Sequence, residues 1–276
     1  MRPGILLLLS MSLALVCGCG AQASVAPAQP PGVDDLPART LTVFAAASLT
    51  ESFAEIAQRF EAEHPGVKVV LNLAASQQLS QQLGQGAPAD VFASASTKEM
   101  DHAIQAKRVT NGNQRAFAHN KLVVIYPKDN PAGLGKLQDL ANANLKLVLA
   151  AKEVPVGKYT LGFLDKASQD VAFGTTFKDD VLRNVASYEE NVKAVLTKVA
   201  LGEGDAGIVY LTDVTLANAD KVGRLDIPDA LNSVATYPIA VVSDTSQPEL
   251  AQAFIQMVLS AQGKEILAKY GFLPAN

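Results

Sequence analysis

The stretch TLTVFAAASLTESFAEIAQRF, residues 40–60, predicts a strand that passes directly into a helix. Its first part, 41–46, is a continuous apolar run of strand length. Phe53, Ile56 and Phe60 then recur at the spacing of one helix face. The sequence therefore opens its folded part with a strand–helix unit, the building block of α/β proteins.

The same alternation continues along the chain. Further strands are predicted at 67–73, 90–93, 121–126, 145–150, 206–210 and 235–242. Further helices are predicted at 77–83, 159–167 and 192–200, with two amphipathic helices near the C-terminus. Strands that alternate with helices indicate mostly parallel sheets covered by helices on both faces.

The length from residue 40 onward is sufficient for two lobes with separate cores. We predict an α/β fold in which lobe 1 comprises 40–122 and 238–276, and lobe 2 comprises 123–237. The strands at 121–126 and 235–242 are the candidates for crossing hinge strands. Such hinges would let a ligand be enclosed between the lobes.

The N-terminus has the pattern of an export signal. Arg2 precedes an apolar run that is too short to remain as a membrane span, so 1–19 is predicted to be a signal peptide. The run ends in Val-Cys-Gly-Cys, 16–19, which resembles a bacterial lipobox, and Cys19 is the predicted lipidation site. Residues 20–39, rich in Ala and Pro, predict a flexible tether. An ordinary cleaved signal is the alternative interpretation.

The composition argues against several classes of function. The formal net charge is −4 and no basic cluster occurs, which argues against a nucleic-acid partner. Both Cys residues lie in the export signal, so a cysteine nucleophile or cysteine metal site in the mature protein is excluded. His64, His102 and His119 lack metal-ligand spacing and are interpreted as surface or turn residues. Asp90 is interpreted as a turn or strand-start residue.

Two serines stand where a predicted strand gives way to a helix. Ser48 follows the first strand and Ser76 the second. Helix N-termini at the carboxyl ends of strands present unpaired N–H groups to anions. A simpler interpretation of Ser48 is a helix N-cap in a capping box with Glu51. In the second half, Pro155-Val156-Gly157 and Asn191-Val192 open two more helices.

Four short motifs carry a resemblance to a known family. They are VFAAASLT at 43–50, GAPADVF at 86–92, GIVY at 207–210 and YGF at 270–272. Together, and in this order, they resemble the periplasmic molybdate-binding proteins of ABC importers. The resemblance covers nearly the whole chain beyond residue 40, and it implies the two-lobed periplasmic-binding-protein fold.

The resemblance also implies a set of ligand-binding residues. In that family two serines, two backbone amides and one tyrosine hydroxyl hold the oxyanion. The motifs carry these roles to Ser48, Ser76, the N–H groups of Val156 and Val192, and the hydroxyl of Tyr210. Ser76 stands in Ala-Ala-Ser-Gln-Gln rather than in a serine-rich run.

The implied function is the capture of molybdate or tungstate outside the cytoplasm for an ABC permease, by a lipid-anchored monomer that is no enzyme and needs no cofactor. Both anions are unprotonated dianions, so a pocket that offers only hydrogen-bond donors suits them. Alternatives are the same fold binding sulfate or another small oxyanion, a sensor subunit, and an exported α/β hydrolase. The sequence shows no Gly-x-Ser-x-Gly nucleophile elbow to support the hydrolase.

Overall fold

A computed structural model describes residues 39–214 and 218–275. The predicted signal peptide, Cys19 and all but the last residue of the predicted tether lie outside these ranges. No helix within the described residues is long and apolar enough to cross a membrane.

The described residues alternate between strands and helices over 39–105 and again over 147–210. The strands are β1 (Arg39–Ala46), β2 (Val67–Ala74), β3 (Val91–Ala93), β4 (Arg115–Asn120), β5 (Leu122–Pro127), β6 (Leu147–Ala150), β7 (Val185–Glu189), β8 (Ala206–Tyr210), β9 (Val222–Asp226), β10 (Ala235–Val241) and β11 (Leu273–Pro274). The helices are α1 (Thr50–Glu63), α2 (Ser76–Gly84), α3 (Thr97–Gln105), α4 (Pro155–Gln169), α5 (Phe177–Arg183), α6 (Val192–Ala200), α7 (Pro248–Leu259) and α8 (Ala261–Lys269). The predicted strands and helices are thus confirmed, within a few residues at their ends.

The strands assemble into two sheets. The first has the order β11-β4-β10-β3-β1-β2 and the second the order β7-β6-β8-β5-β9. In the first sheet β1 runs parallel to β2 and β3, and in the second β6 runs parallel to β7 and β8. The remaining pairings are antiparallel. The sheets are therefore mixed, and the predicted mostly parallel arrangement holds only for the βα half of each.

The chain crosses between the sheets at two places. β4 and β5 form one extended segment in which only Lys121 separates the first sheet from the second. The return runs through 227–234, because β10 already pairs with β3 and β4 in the first sheet. The predicted strand at 235–242 thus lies wholly within the first sheet and follows the crossing. The predicted α/β fold with two sheets flanked by helices is confirmed. The residue boundaries of the two lobes and their closure around a ligand stay predictions.

The helix faces predicted from apolar spacing are buried as expected. Phe53 and Phe60 of α1 are fully buried, and both pack edge-on against Phe254 of α7, with ring centroids 6.0 and 5.3 Å apart. Aromatic pairs in this geometry contribute about 0.5–1.5 kcal/mol beyond area burial. The C-terminal helices therefore belong with the first sheet, and they fix α1, whose N-terminus borders the pocket described next.

Candidate functional site

A small cleft lies where the carboxyl ends of the parallel strands of both sheets meet. Its lining comprises Ala46, Ala47, Ser48, Ala75, Ser76, Ala95, Val154, Pro155, Val156, Asn191, Val192 and Tyr210. The cavity volume is about 20 Å³, far below the roughly 300–1,000 Å³ of pockets for larger organic ligands. The five residues predicted to bind the ligand all line this one cleft. Its position is the usual ligand site of open α/β sheets.

Ser48 reaches the cleft from the end of β1. A 3-10 turn, Ala47–Leu49, separates that strand from α1, so the helix begins at Thr50 and Leu49 is its N-cap residue. No side-chain cap is formed, and the interpretation of Ser48 as an N-cap is wrong. Its buried hydroxyl lies 2.8 Å from the hydroxyl of Tyr237 in β10. The turn thus frees Ser48 from the helix and directs it to the cleft.

Ser76 lies beside Ser48 because their strands are in register. Ala46 pairs with Ala74 in the parallel β1–β2 ladder, so the two serines follow the same edge of the sheet. Ser76 is the first residue of α2, one residue earlier than predicted. Its buried Oγ accepts a hydrogen bond of 2.9 Å from the N–H of Ala95, just beyond β3. Its own hydroxyl hydrogen is left to donate.

Val156 stands in the first turn of α4, after Pro155 at the helix start. The first N–H groups of a helix have no intrahelical acceptor, so the amide of Val156 is available to the cleft. Gly157 lets this helix start approach β6 closely. A Cβ there would lie 2.1 Å from the carbonyl oxygen of Ala151 and 2.6 Å from that of Ala150. Glycine at 157 is therefore needed to hold the Val156 amide at the strand end.

Val192 is the first residue of α6 and offers the second amide. Its N-cap is Asn191, whose side chain accepts a 3.0 Å hydrogen bond from the N–H of Ala194. Asn191 thus satisfies an amide further into the first turn and leaves that of Val192 to the cleft. The helix dipole adds about half a positive charge at this end. The prediction that Asn191 lies at the start of a helix is confirmed.

Tyr210 ends β8 and contributes the remaining hydroxyl. The side chain is buried, and among the described residues its oxygen has no hydrogen-bond partner of normal geometry. Burial raises its pKa well above the usual range, and the neighbouring Tyr237 and Tyr159 raise it further. The hydroxyl therefore keeps its proton. A buried hydroxyl without a protein partner is uncommon and points to a ligand acceptor.

Among the residues that the structure describes, no charged side chain lines the cleft, but a charged cluster lies beside it. The Nζ of Lys193 lies 2.9 Å from both carboxylate oxygens of Glu51 and 3.1 Å from Oδ1 of the buried Asp213. Burial lowers the pKa of Lys193, but the two carboxylates outweigh it and raise the pKa overall. Burial also raises the pKa of Asp213, although Lys193 opposes this. The cluster joins α1 to α6, and its lysine charge is already compensated.

Asp90, His64 and His119, which were not predicted to bind the ligand, make structural contacts. Oδ2 of Asp90 accepts the N–H of Thr42 at 2.7 Å, as its assignment to a strand start predicts. The rings of His64 and Phe60 stack, and His119 contacts Thr236. Within 39–214 and 218–275, no three His, Cys, Asp or Glu side chains converge as a metal site.

Sequence reasoning missed the polar residues behind the cleft. Asn120, Thr212 and Tyr237 are buried and connected to each other by hydrogen bonds. Tyr237 was identified only as part of a strand. A polar Asn at the end of an apolar strand is a weak signal, and no local pattern links it to a tyrosine that is 117 residues away.

Comparisons with known proteins agree with this architecture. Residues 41–273 match the family model of bacterial extracellular solute-binding proteins. The molybdate-binding protein ModA of Mycobacterium tuberculosis is 39% identical over 252 residues, 91% of each chain. The putative ABC transporter substrate-binding lipoprotein YvgL of Bacillus subtilis is 30% identical, over 84% of this chain and 86% of YvgL. The substrate-binding domain of a putative molybdenum ABC transporter from Clostridium difficile has a TM-score of 0.63 at 30% identity, covering 86% of this chain and 99% of that domain. The chain belongs to the family of bacterial extracellular solute-binding proteins.

Proposed function

We propose that this protein captures molybdate, and tungstate with it, in the cleft between its two sheets and delivers the anion to the permease of an ABC importer. The observation that carries the proposal is the buried hydroxyl of Tyr210, which makes no hydrogen bond of normal geometry to any described residue and lies in a lining with two serines. A molybdate-binding relative at 39% identity supports the choice of anion.

The cleft suits an unprotonated tetrahedral dianion because it presents donors. Tyr210 retains its proton, Ser76 accepts the N–H of Ala95 and keeps its own hydrogen to donate, and two helix starts supply N–H groups. Hydrogen bonds to a charged acceptor contribute about 1.5–3 kcal/mol each. A lining without charged side chains also leaves no isolated charge buried when the anion departs.

Both sheets contribute to the cleft, which supports enclosure of the ligand between two lobes. Ser48 and Ser76 follow strands of the first sheet, whereas Tyr210 ends a strand of the second. The ion pair of Glu51 with Lys193 joins helices that belong to the two sides. The lobes in this proposal are 40–122 with 238–276, and 123–237, although the start of β10, 235–237, already pairs with β4 in the first sheet.

A hydrolase is the competing proposal from another class. A nucleophilic serine needs a neighbouring general base. The hydroxyl partner of Ser48 is Tyr237, whose pKa is raised by burial, and the partner of Ser76 is a backbone N–H. Neither partner can take a proton near neutral pH. The proposal is therefore binding without catalysis, by a monomer that needs no cofactor.

Isothermal titration of residues 20–276, without the predicted signal peptide and anchor, with molybdate, tungstate, sulfate and phosphate tests the function. We expect one-to-one binding that is strong for molybdate and tungstate and much weaker for sulfate and phosphate. Tight sulfate binding together with weak molybdate binding would instead support the alternative oxyanion. Binding of none of the four anions would overturn the proposal.

The location proposed for the protein is the outer face of the cytoplasmic membrane, where a lipid on Cys19 anchors it. The lipobox-like Val-Cys-Gly-Cys at 16–19 supports this, as does the lipoprotein relative YvgL. Cys19→Ala should move the protein from the membrane fraction to the soluble fraction or leave it unprocessed, with molybdate affinity unchanged. Cys17→Ala is the matched control and should stay with the membrane. Mass spectrometry that finds an unmodified N-terminus at another residue would contradict the anchor.

A further inference from the structure

The hydrogen-bond chain behind Ser48 is oriented from its Asn120 end. The Oδ1 of Asn120 accepts the N–H of Lys121 at 2.9 Å, which orients the amide. Its Nδ2 group then faces the hydroxyl of Thr212 at 2.8 Å and that of Tyr237 at 3.2 Å. An amide NH₂ can only donate, so Tyr237 is an acceptor at this contact.

The direction passes from Tyr237 to Ser48. The phenol has one hydrogen, and two hydroxyls lie near it, those of Ser48 and Tyr210. Among the described residues only the Oγ of Ser48, 2.8 Å away, has hydrogen-bonding geometry, so we assign the hydrogen to it. Burial raises the pKa of Tyr237, so this hydrogen stays on the phenol. Ser48 accepts it, and the serine's own hydrogen is left for the cleft.

We propose that Asn120 and Tyr237 are positioning residues that hold Ser48 as a donor, and that they thereby make the site select against anions that carry a proton. The inference rests on the proposed function and deepens it, because it assigns the discrimination to residues that do not line the cleft. Ser76 is also held as a donor, because the N–H of Ala95 engages one of its two lone pairs and leaves its hydrogen for the cleft.

The physical consequence concerns hydrogen phosphate in particular. Its P–O–H group must find an acceptor inside the cleft, and a buried donor without one costs about 1–3 kcal/mol. Sulfate has a similar size and the same dianionic charge at mildly alkaline pH, but it carries no proton. The ratio of sulfate to phosphate affinity therefore reports whether the cleft hydroxyls donate or accept hydrogen bonds.

Tyr237→Phe tests the inference because it removes the hydrogen that engages Ser48. Ser48 can then rotate and accept. We expect molybdate affinity to fall roughly three- to ten-fold, the range of one neutral hydrogen bond, and the sulfate-to-phosphate affinity ratio to fall at least about three-fold. Tyr126→Phe in β5, outside the cleft, is the matched control and should change neither quantity.

A double-mutant cycle separates positioning from a general structural effect. If Tyr237 acts through Ser48, Tyr237→Phe should change molybdate affinity less than about two-fold in a Ser48→Ala background. Equal effects in both backgrounds, or an unchanged sulfate-to-phosphate ratio, would overturn the inference. Unliganded thermal unfolding checks the fold. If Tyr237→Phe fails to fold, Asn120→Ala, which removes the donor to the phenol, must lower the same ratio.

Different results would contradict the proposed function and the roles of Asn120 and Tyr237. An unsubstituted protein that does not bind molybdate contradicts the function itself. An unsubstituted protein that binds molybdate, together with variants that keep its anion selectivity, contradicts only the roles of Asn120 and Tyr237.

Discussion

Removing any one of the three cleft hydroxyls should weaken molybdate binding by roughly ten-fold to a hundred-fold. The variants are Ser48→Ala, Ser76→Ala and Tyr210→Phe. Each deletes one donor to a charged acceptor, a bond of about 1.5–3 kcal/mol, and about 1.4 kcal/mol corresponds to ten-fold. Isothermal titration measures the change directly. Tyr210→Phe is the cleanest of the three, because among the described residues its hydroxyl makes no hydrogen bond of normal geometry that the substitution would also remove; the hydroxyl of Tyr237 is its neighbour.

The controls for these variants follow from the structure. Tyr210→Phe should unfold at the same temperature as the unsubstituted protein, or higher, when no ligand is present. Ser76→Ala also removes the acceptor of the Ala95 N–H, so some loss of stability is expected there. Ser80→Ala is a matched serine control, because Ser80 is buried in the same helix but bonds to Glu99. Three folded variants with unchanged affinity would show that the anion binds elsewhere.

Val192→Pro should weaken molybdate by a similar factor, roughly ten-fold to a hundred-fold, whereas Val192→Ala should change it less than about three-fold. Both substitutions replace the valine side chain, but proline also removes the backbone donor, which alanine keeps. The position tolerates proline because it is the first residue of α6. Asn191 before it is already extended, with φ −157° and ψ 168°, as a residue before proline must be.

The pair of substitutions distinguishes the amide from the side chain. Circular dichroism and unliganded thermal unfolding should show that α6 survives in Val192→Pro. If proline and alanine weaken binding equally, the valine side chain is what matters and the amide is not a ligand. If neither has an effect, the start of α6 does not contact the anion.

Much of the fold could be predicted because its signals are local. The apolar run at 41–46 and the helical spacing of Phe53, Ile56 and Phe60 appear in the structure as β1 and the buried face of α1. The antiparallel strands were not predicted as such. The direction of β10 depends on pairing with β3 and β4, which is far apart in sequence and leaves no periodic signal.

The cleft was predicted in part. Strand ends identified Ser48 and Ser76, and the motif resemblance supplied Val156, Val192 and Tyr210. The N-cap alternative for Ser48 was wrong because a 3-10 turn, which no residue pattern announced, moves the start of α1 to Thr50.

The residues behind the cleft could not be found in the same way. Their contacts are long-range, as in the ion pair of Lys193 with Glu51, 142 residues apart. Only the folded chain brings these groups together, so they are visible in the structure alone.

The most direct test of the central claim is a crystal structure of the protein with tungstate, with the anion located by anomalous scattering. We predict one strong peak in the cleft, with tungstate oxygens within hydrogen-bonding distance of the hydroxyls of Ser48, Ser76 and Tyr210 and of the N–H groups of Val156 and Val192. A dominant peak at another place on the protein, or a cleft in which a bound anion is held by charged side chains instead, would contradict the account.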